Sequence, residues 1–132
     1  MRHMKRLSEC ELDVMQVIWD LGPEMNQPEI KDELEIRKSR TYGRTTIATW
    51  VTRLKENGFV NCRPHGKVTY YYPLIEREEY MKLELEHFAR RFFSGSYNQA
   101  ILSFARAEDL PEEEQEKLEA LVEGWKQNEI GR

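Results

Sequence analysis

The segment from Arg44 to Asn57 constrains this chain more than any other. Ile47, Trp50, Val51 and Leu54 stand at i, i+3, i+4 and i+7, the spacing of one apolar stripe on an α-helix, and Gly58 supplies a left-handed residue to end it. With about 100° per residue, the opposite face carries Thr45, Thr49, Thr52 and Arg53, with Arg44 and Thr46 at the N-terminal end. A solvated helix ordinarily prefers Glu and Lys there, because Thr loses rotamer freedom in a helix. Short hydroxyl and methyl groups suit a helix that must fit a groove.

The flanking segments say what holds that helix. Ser8 and Glu11 are three apart and can satisfy each other's free backbone N–H, which predicts a helix start; Leu12, Met15 and Trp19, flanked by Val14 and Ile18, continue at helical spacing until Gly22-Pro23. Asn26, with Pro28 just inside and Glu29 three residues on, predicts a second helix to about Arg37 that buries Ile30 and Leu34. After the helix at 44–57, the β-branched and aromatic runs Phe59–Arg63 and Val68–Tyr72 flank Pro64-His65-Gly66-Lys67, which reads as a turn between two strands.

Net charge over the 132 residues is −4, but the charges are segregated. From Arg37 to Lys67 there are eight basic residues against one acid, Glu56, while from Ile75 onward fourteen acids face eight bases. The acidic half masks a cationic patch of the kind that meets phosphate. No run approaches the ~18–20 apolar residues of a membrane span, and no leader of charged then apolar residues is visible. Cys10 and Cys62, two and far apart, fit a reducing compartment, so the expected location is the cytoplasm.

Beyond Ile75 three helical patterns follow. The first carries Met81, Leu85, Phe88 and Phe92 and stops at Gly95; the second carries Tyr97, Ala100, Ile101, Phe104 and Ala105; the last opens near Pro111 and carries Leu118, Leu121, Val122 and Trp125. So much apolar surface on 58 residues is marginal as an independent core, so a second copy is expected to complete it.

Helix, helix, helix and basic hairpin is the order of a winged helix-turn-helix. The expected fold is mainly α with a small β-hairpin wing: a DNA-binding domain over 5–74 and a three-helix dimerisation region over 75–130. In this reading Arg40, Arg44, Lys55, Arg63 and Lys67 grip phosphates, while Thr45, Thr46, Thr49, Thr52 and Arg53 reach base edges. Met81, Leu85, Phe88, Phe92, Ile101, Phe104, Leu118, Leu121 and Trp125 carry the dimer contacts. Trp19 and Trp50 read as core anchors, and Arg53 has the alternative of pairing with an acid of the first two helices. Cys62 and His65 read as hairpin surface, since zinc needs more ligands than these two. His3, His65 and His87 adjoin no arrangement suited to nucleophilic catalysis, so neither an enzyme nor a cofactor is expected. Two other classes stay open: a ligand-responsive winged-helix regulator, and a protein-binding adaptor, which has no need of a basic wing.

Several short motifs in order resemble the penicillinase-repressor family. They are Val17-Ile18-Trp19-Asp20, then Thr46-Ile47-Ala48-Thr49 leading to Arg53-Leu54 and Gly58-Phe59-Val60, then Tyr70-Tyr71-Tyr72-Pro73-Leu74. Phe92-Phe93-Ser94-Gly95-Ser96 and Leu102-Ser103-Phe104-Ala105 extend the resemblance into the tail. It implies a homodimeric repressor on palindromic double-stranded operator DNA, joined through its C-terminal helices, and in founding members inactivated by a regulatory protease. The implied cleavage falls between Ser103 and Phe104, where this chain departs from the pattern by carrying Ser103 in place of Asn. A copper-responsive branch uses C-terminal Cys-x-Cys pairs; no cysteine follows Cys62 here, which excludes that mode.

Overall fold

A computed structural model describes residues 4–107 and 110–130, with the side chains at 107, 122 and 125–130 outside the description. Its elements are α1 (Glu9–Leu21), β1 (Met25–Asn26), α2 (Gln27–Lys38), α3 (Arg44–Glu56), β2 (Val60–His65), β3 (Val68–Pro73), α4 (Arg77–Phe93), α5 (Tyr97–Ala107) and α6 (Glu112–Ile130). They form two compact units, one through Met81 and one from Lys82, with α4 continuing from the first into the second.

Both reciprocal caps form. Ser8 Oγ accepts from Glu11 N at 3.2 Å while Glu11 Oε1 accepts from Ser8 N at 2.9 Å, and Asn26 and Glu29 repeat the arrangement on α2 at 2.9 Å in each direction. Each box satisfies amides that a helix start leaves open, worth about 1 kcal/mol per cap. The buried face of α1 is Val14, Met15, Val17 and Ile18, so Leu12 and Trp19, expected inside, lie at its margins. Trp19 is half-buried because its Nε1 donates to Ile75 O at 2.9 Å and must stay near the edge. On α2, Ile30 and Leu34 are buried as expected, and α3 contributes Ile47, Val51 and Leu54. Trp50 corrects the expected stripe: it is only half-buried, edge-on to Tyr42 at 5.6 Å between ring centres.

The sheet runs β1-β3-β2, all antiparallel. Two details differ from the sequence reading. Pro64 and His65 are strand residues, paired with Thr69 and Val68, so the turn shrinks to Gly66-Lys67. Gly66 has φ +65° at the first central position, as a type II′ hairpin requires. Pro64 is tolerated because β2 is an edge strand and needs no donor on its outer side. The second detail is β1, two residues that pair with Tyr71 and Tyr70 and tie the start of α2 to the wing.

Phe59, Ile75 and Tyr80 close the core of the first unit. Tyr80 is edge-on to Phe59 at 5.7 Å, tilted against Trp19 at 6.2 Å, and its hydroxyl accepts from Leu7 N at 2.7 Å. A cut after Leu74 therefore removes two core residues, and the cut that leaves this unit whole falls after Met81. Asp20 is the matching electrostatic clamp, accepting from Arg77 and pairing with Arg37 at 2.9 Å. The Arg77 hydrogen bond is the main influence holding its carboxyl below the usual range, against a desolvation penalty and with further help from Arg37. A folded-state pKa below the unfolded one means the clamp stabilises above the unfolded carboxylate range, and the contribution is lost as pH falls through the folded value. Because the side chain is 39% exposed, the effect is screened and small. Asp20→Asn should lower the thermal midpoint by a few degrees at neutral pH. Melts repeated toward pH 3 should show that gap closing, and a gap independent of pH would assign it to packing.

In the second unit, Ala89, Asn98, Ala100, Leu102 and Ala105 are buried. α4 ends on Ser94 and Gly95 with φ of +50° and +88°, and Gly95 N donates to Ala89 O at 2.9 Å, which closes the last turn. The larger apolar side chains lie outside. Leu85, Phe88 and Phe92 on α4, Phe104 on α5 and Leu121 on α6 are exposed, Phe92 by 63% and Phe104 by 65%. Met81 continues the α4 stripe and is exposed too; Ile101 and Leu118 are half-buried. The side chain of Trp125, also expected at the dimer contact, lies outside the described residues.

Candidate nucleic-acid interface

The orientation of α3 is set by the turn before it. Ser39 ends α2 in the left-handed region, φ +53°, and Glu35 Oε2 then accepts from Tyr42 N at 2.8 Å across the turn. The same carboxylate pairs with Lys31 at 3.1 Å, and its pKa is lowered first by the Tyr42 amide and then by Lys31. The Tyr42 ring is buried, carries the Arg40 guanidinium over one face at 4.9 Å, and meets Trp50. Glu35 and Tyr42 thus pin the first turn of α3 to α2. Neither stands out in the sequence, because their link depends on a turn geometry that composition does not encode.

Arg44, Thr45, Thr46, Thr49, Thr52, Arg53 and Lys55 are all exposed on α3. Thr49 Oγ1 donates to Thr45 O at 2.8 Å, so its hydroxyl proton is spent on the helix and its methyl and lone pairs remain for contact. Gly43 caps α3 without a side-chain acceptor, leaving first-turn amides open. Lys67 stands at the hairpin tip, exposed.

The cations of the basic stretch divide into two sets. Arg37 pairs with Asp20 and Glu33, Lys38 with Asp13 at 3.1 Å, and Arg63 with Glu24 at 3.2 Å. Arg40, Arg44, Arg53, Lys55 and Lys67 hold no ion pair among the described residues, so Arg53 does not take its structural alternative of pairing with an acid of α1 or α2. Cys62 and His65 fall on opposite faces of β2 by strand alternation, and His65 turns to Glu24 at 2.7 Å. No group of three or more His, Cys, Asp or Glu suited to a metal occurs among the described residues.

Three helices, the third with an exposed polar face and free cations at both ends, followed by a two-stranded wing, define a winged helix-turn-helix protein. The penicillinase repressor family profile matches residues 7–124. The penicillinase repressor of Bacillus licheniformis is 32% identical over 126 residues, covering 96% of each chain, and the methicillin resistance regulatory protein MecI of Staphylococcus aureus is 28% identical over 116 residues, covering 88% of this chain and 92% of that one. The solution structure of the DNA binding domain of the repressor BlaI superposes with a TM-score of 0.51 at 35% identity, covering 61% of this chain and 94% of that domain. The chain belongs to the penicillinase repressor family and is a DNA-binding transcriptional repressor.

Proposed function

We propose that the protein binds a palindromic operator as a homodimer, with α3 of each protomer in the major groove and the β2–β3 hairpin against the flanking phosphates. The observation that carries this reading is the outer face of α3: four exposed threonines and Arg53, with the one acid, Glu56, at the C-terminal end of the face, bracketed by cations free of ion pairs. Thr49 reads through its methyl or as an acceptor, Thr45, Thr46 and Thr52 through hydroxyl or methyl, and Arg53 bidentately on guanine. Arg40, Arg44, Lys55 and Lys67 neutralise phosphates, and the open amides of the first turn of α3 favour the same anions. The Bacillus licheniformis relative is named a penicillinase repressor and MecI a regulatory protein, and this reading assigns no catalytic group. Among the described residues no helix is long and apolar enough to cross a membrane, and the site of action is the cytoplasm, where the operator lies.

Base contact and phosphate contact separate experimentally. Thr49→Ala should cost about 1 kcal/mol of discrimination per half-site, at the low end of a base contact, while leaving random-sequence binding nearly unchanged. Lys67→Ala should weaken binding to every sequence alike and flatten the salt dependence by about 0.9 for each phosphate it no longer neutralises. Gel retardation on DNA flanking the protein's own gene, with and without competitor, measures both. Equal losses on specific and random DNA for Thr49→Ala would remove α3 from the groove.

Release is by cleavage between Ser103 and Phe104, within α5. Both side chains are exposed, and a cut there divides the helix that carries Phe104 and Ile101. A hydrogen-bonded helix resists proteases, so the step requires local opening. Immunoblotting after treating the host with a cell-wall antibiotic should show a fragment ending near Ser103. Intact protein during full induction of its target genes would point to an effector ligand instead.

A further inference from the structure

We infer that Glu24 limits the affinity of the wing for DNA by neutralising Arg63, and holding His65 by a hydrogen bond, within the protein itself. The inference rests on the reading of the hairpin as a phosphate-binding wing.

Glu24 immediately precedes β1, which pairs with β3 on the side away from β2. Its carboxylate nevertheless reaches across β3: Oε2 lies 3.2 Å from Arg63 Nε and Oε1 lies 2.7 Å from His65 Nε2. Arg63 and His65 are two apart on β2 and share one face of the sheet with Tyr70 and Tyr72 of β3. The rings fix both partners on that face, with the Arg63 guanidinium over Tyr72 at 4.3 Å and His65 edge-on to Tyr70 at 5.0 Å. One carboxylate therefore serves both basic groups of the strand, and the stacking keeps them beside it.

The consequence follows from how cations bind DNA. Affinity for phosphate comes from replacing condensed counterions with protein charge. A guanidinium that already carries its own carboxylate brings almost no net charge, and a phosphate approaching it must either displace Glu24 or accept it as a neighbour. Arg63 is 54% exposed, so the site is open to phosphate, and what restrains it is charge balance. Lys67, two residues past His65 and with no ion pair among the described residues, carries no such restraint.

The test uses the full-length protein and a mixed-sequence DNA duplex, with fluorescence anisotropy measured across potassium chloride concentrations. Glu24→Gln keeps the size of the side chain and one acceptor oxygen while removing its charge. It should tighten binding roughly 2- to 30-fold for two wings, the range given by one exposed ion pair per wing. The slope of log affinity against log salt should become more negative by about 0.9 for each Arg63 set free. In a background of Arg63→Met and His65→Asn the same substitution should change neither quantity. An unchanged slope in Glu24→Gln, or weaker binding, would overturn the inference, as would a gain that persists in that background, since it would then reflect general charge. Lys67→Ala distinguishes the two levels. If it flattens the slope while Glu24→Gln does nothing, the wing binds phosphate and the role of Glu24 is wrong. If neither matters, the wing reading fails and the inference falls with it.

Discussion

Replacing Phe88 and Phe92 together with Asp should convert the protein to a monomer and reduce operator affinity by about 10²- to 10⁴-fold, while each DNA-binding unit keeps its fold. The two rings lie 5.2 Å apart on the exposed stripe of α4, with Met81 and Leu85 along the same face. Aromatic side chains left this open strongly favour burial, at roughly 25 cal/mol per Å² of apolar surface covered. Two carboxylates placed there could be covered only at a large desolvation cost. The fall in affinity is a loss of tethering: a dimer presents its second α3 at the high effective concentration set by its first, and a monomer presents it only at bulk concentration. Light scattering and gel retardation on the same sample decide the point. A variant that remains dimeric would move the interface off α4, and a monomer with undiminished affinity would remove the need for two half-sites.

The second large effect is on stability. Phe59→Ala should cost about 3–5 kcal/mol, a loss that few domains of marginal stability absorb without partial unfolding. Phe59 is fully buried edge-on to Tyr80, and its backbone joins three segments: its N–H donates to Leu54 O at 2.9 Å and its carbonyl accepts from Leu74 N at 2.8 Å. The preceding Gly58, at φ +80°, turns the chain from α3 into β2. Urea titration should show a lower midpoint with an unchanged slope, because a cavity alters stability without altering the surface exposed on unfolding. A cost under about 1 kcal/mol would mean that Tyr80 and Trp19 collapse into the space.

The local features of the fold are legible in the sequence. The capping boxes at Ser8 and Asn26 need only residues three apart, so nothing distant has to be known to place the starts of α1 and α2. The stripe of Ile47, Val51 and Leu54 and the threonine face opposite it follow from helical periodicity alone. Trp50 departs from the expectation because it stands at the edge of that stripe, where burial depends on Tyr42 and on a turn that propensity does not specify. The hairpin is legible but its turn is shorter than the sequence suggests, since Pro64 reads locally as a breaker and is accommodated only by its edge position.

What the sequence by itself determined is the set of helices, the core positions Ile30, Leu34, Ile47, Val51 and Leu54, the wing, the segregation of charge, and through the ordered motifs the repressor family. Tertiary structure alone decided which cations are free: Arg37, Lys38 and Arg63 look no different in the sequence from Arg53 and Lys67, yet acids on other elements pair with them, Asp20 and Asp13 from α1 and Glu24 from the approach to β1. It decided the two-residue strand β1, too short to have a propensity of its own and formed only because β3 offers an edge. It also assigned Ile75 and Tyr80 to the first core, across 73 positions in the contact between Leu7 and Tyr80. The physical reason is common to all three. Periodicity and capping are set by neighbours along the chain, whereas pairing of charges, strands and rings is set by which segments the closed core brings together.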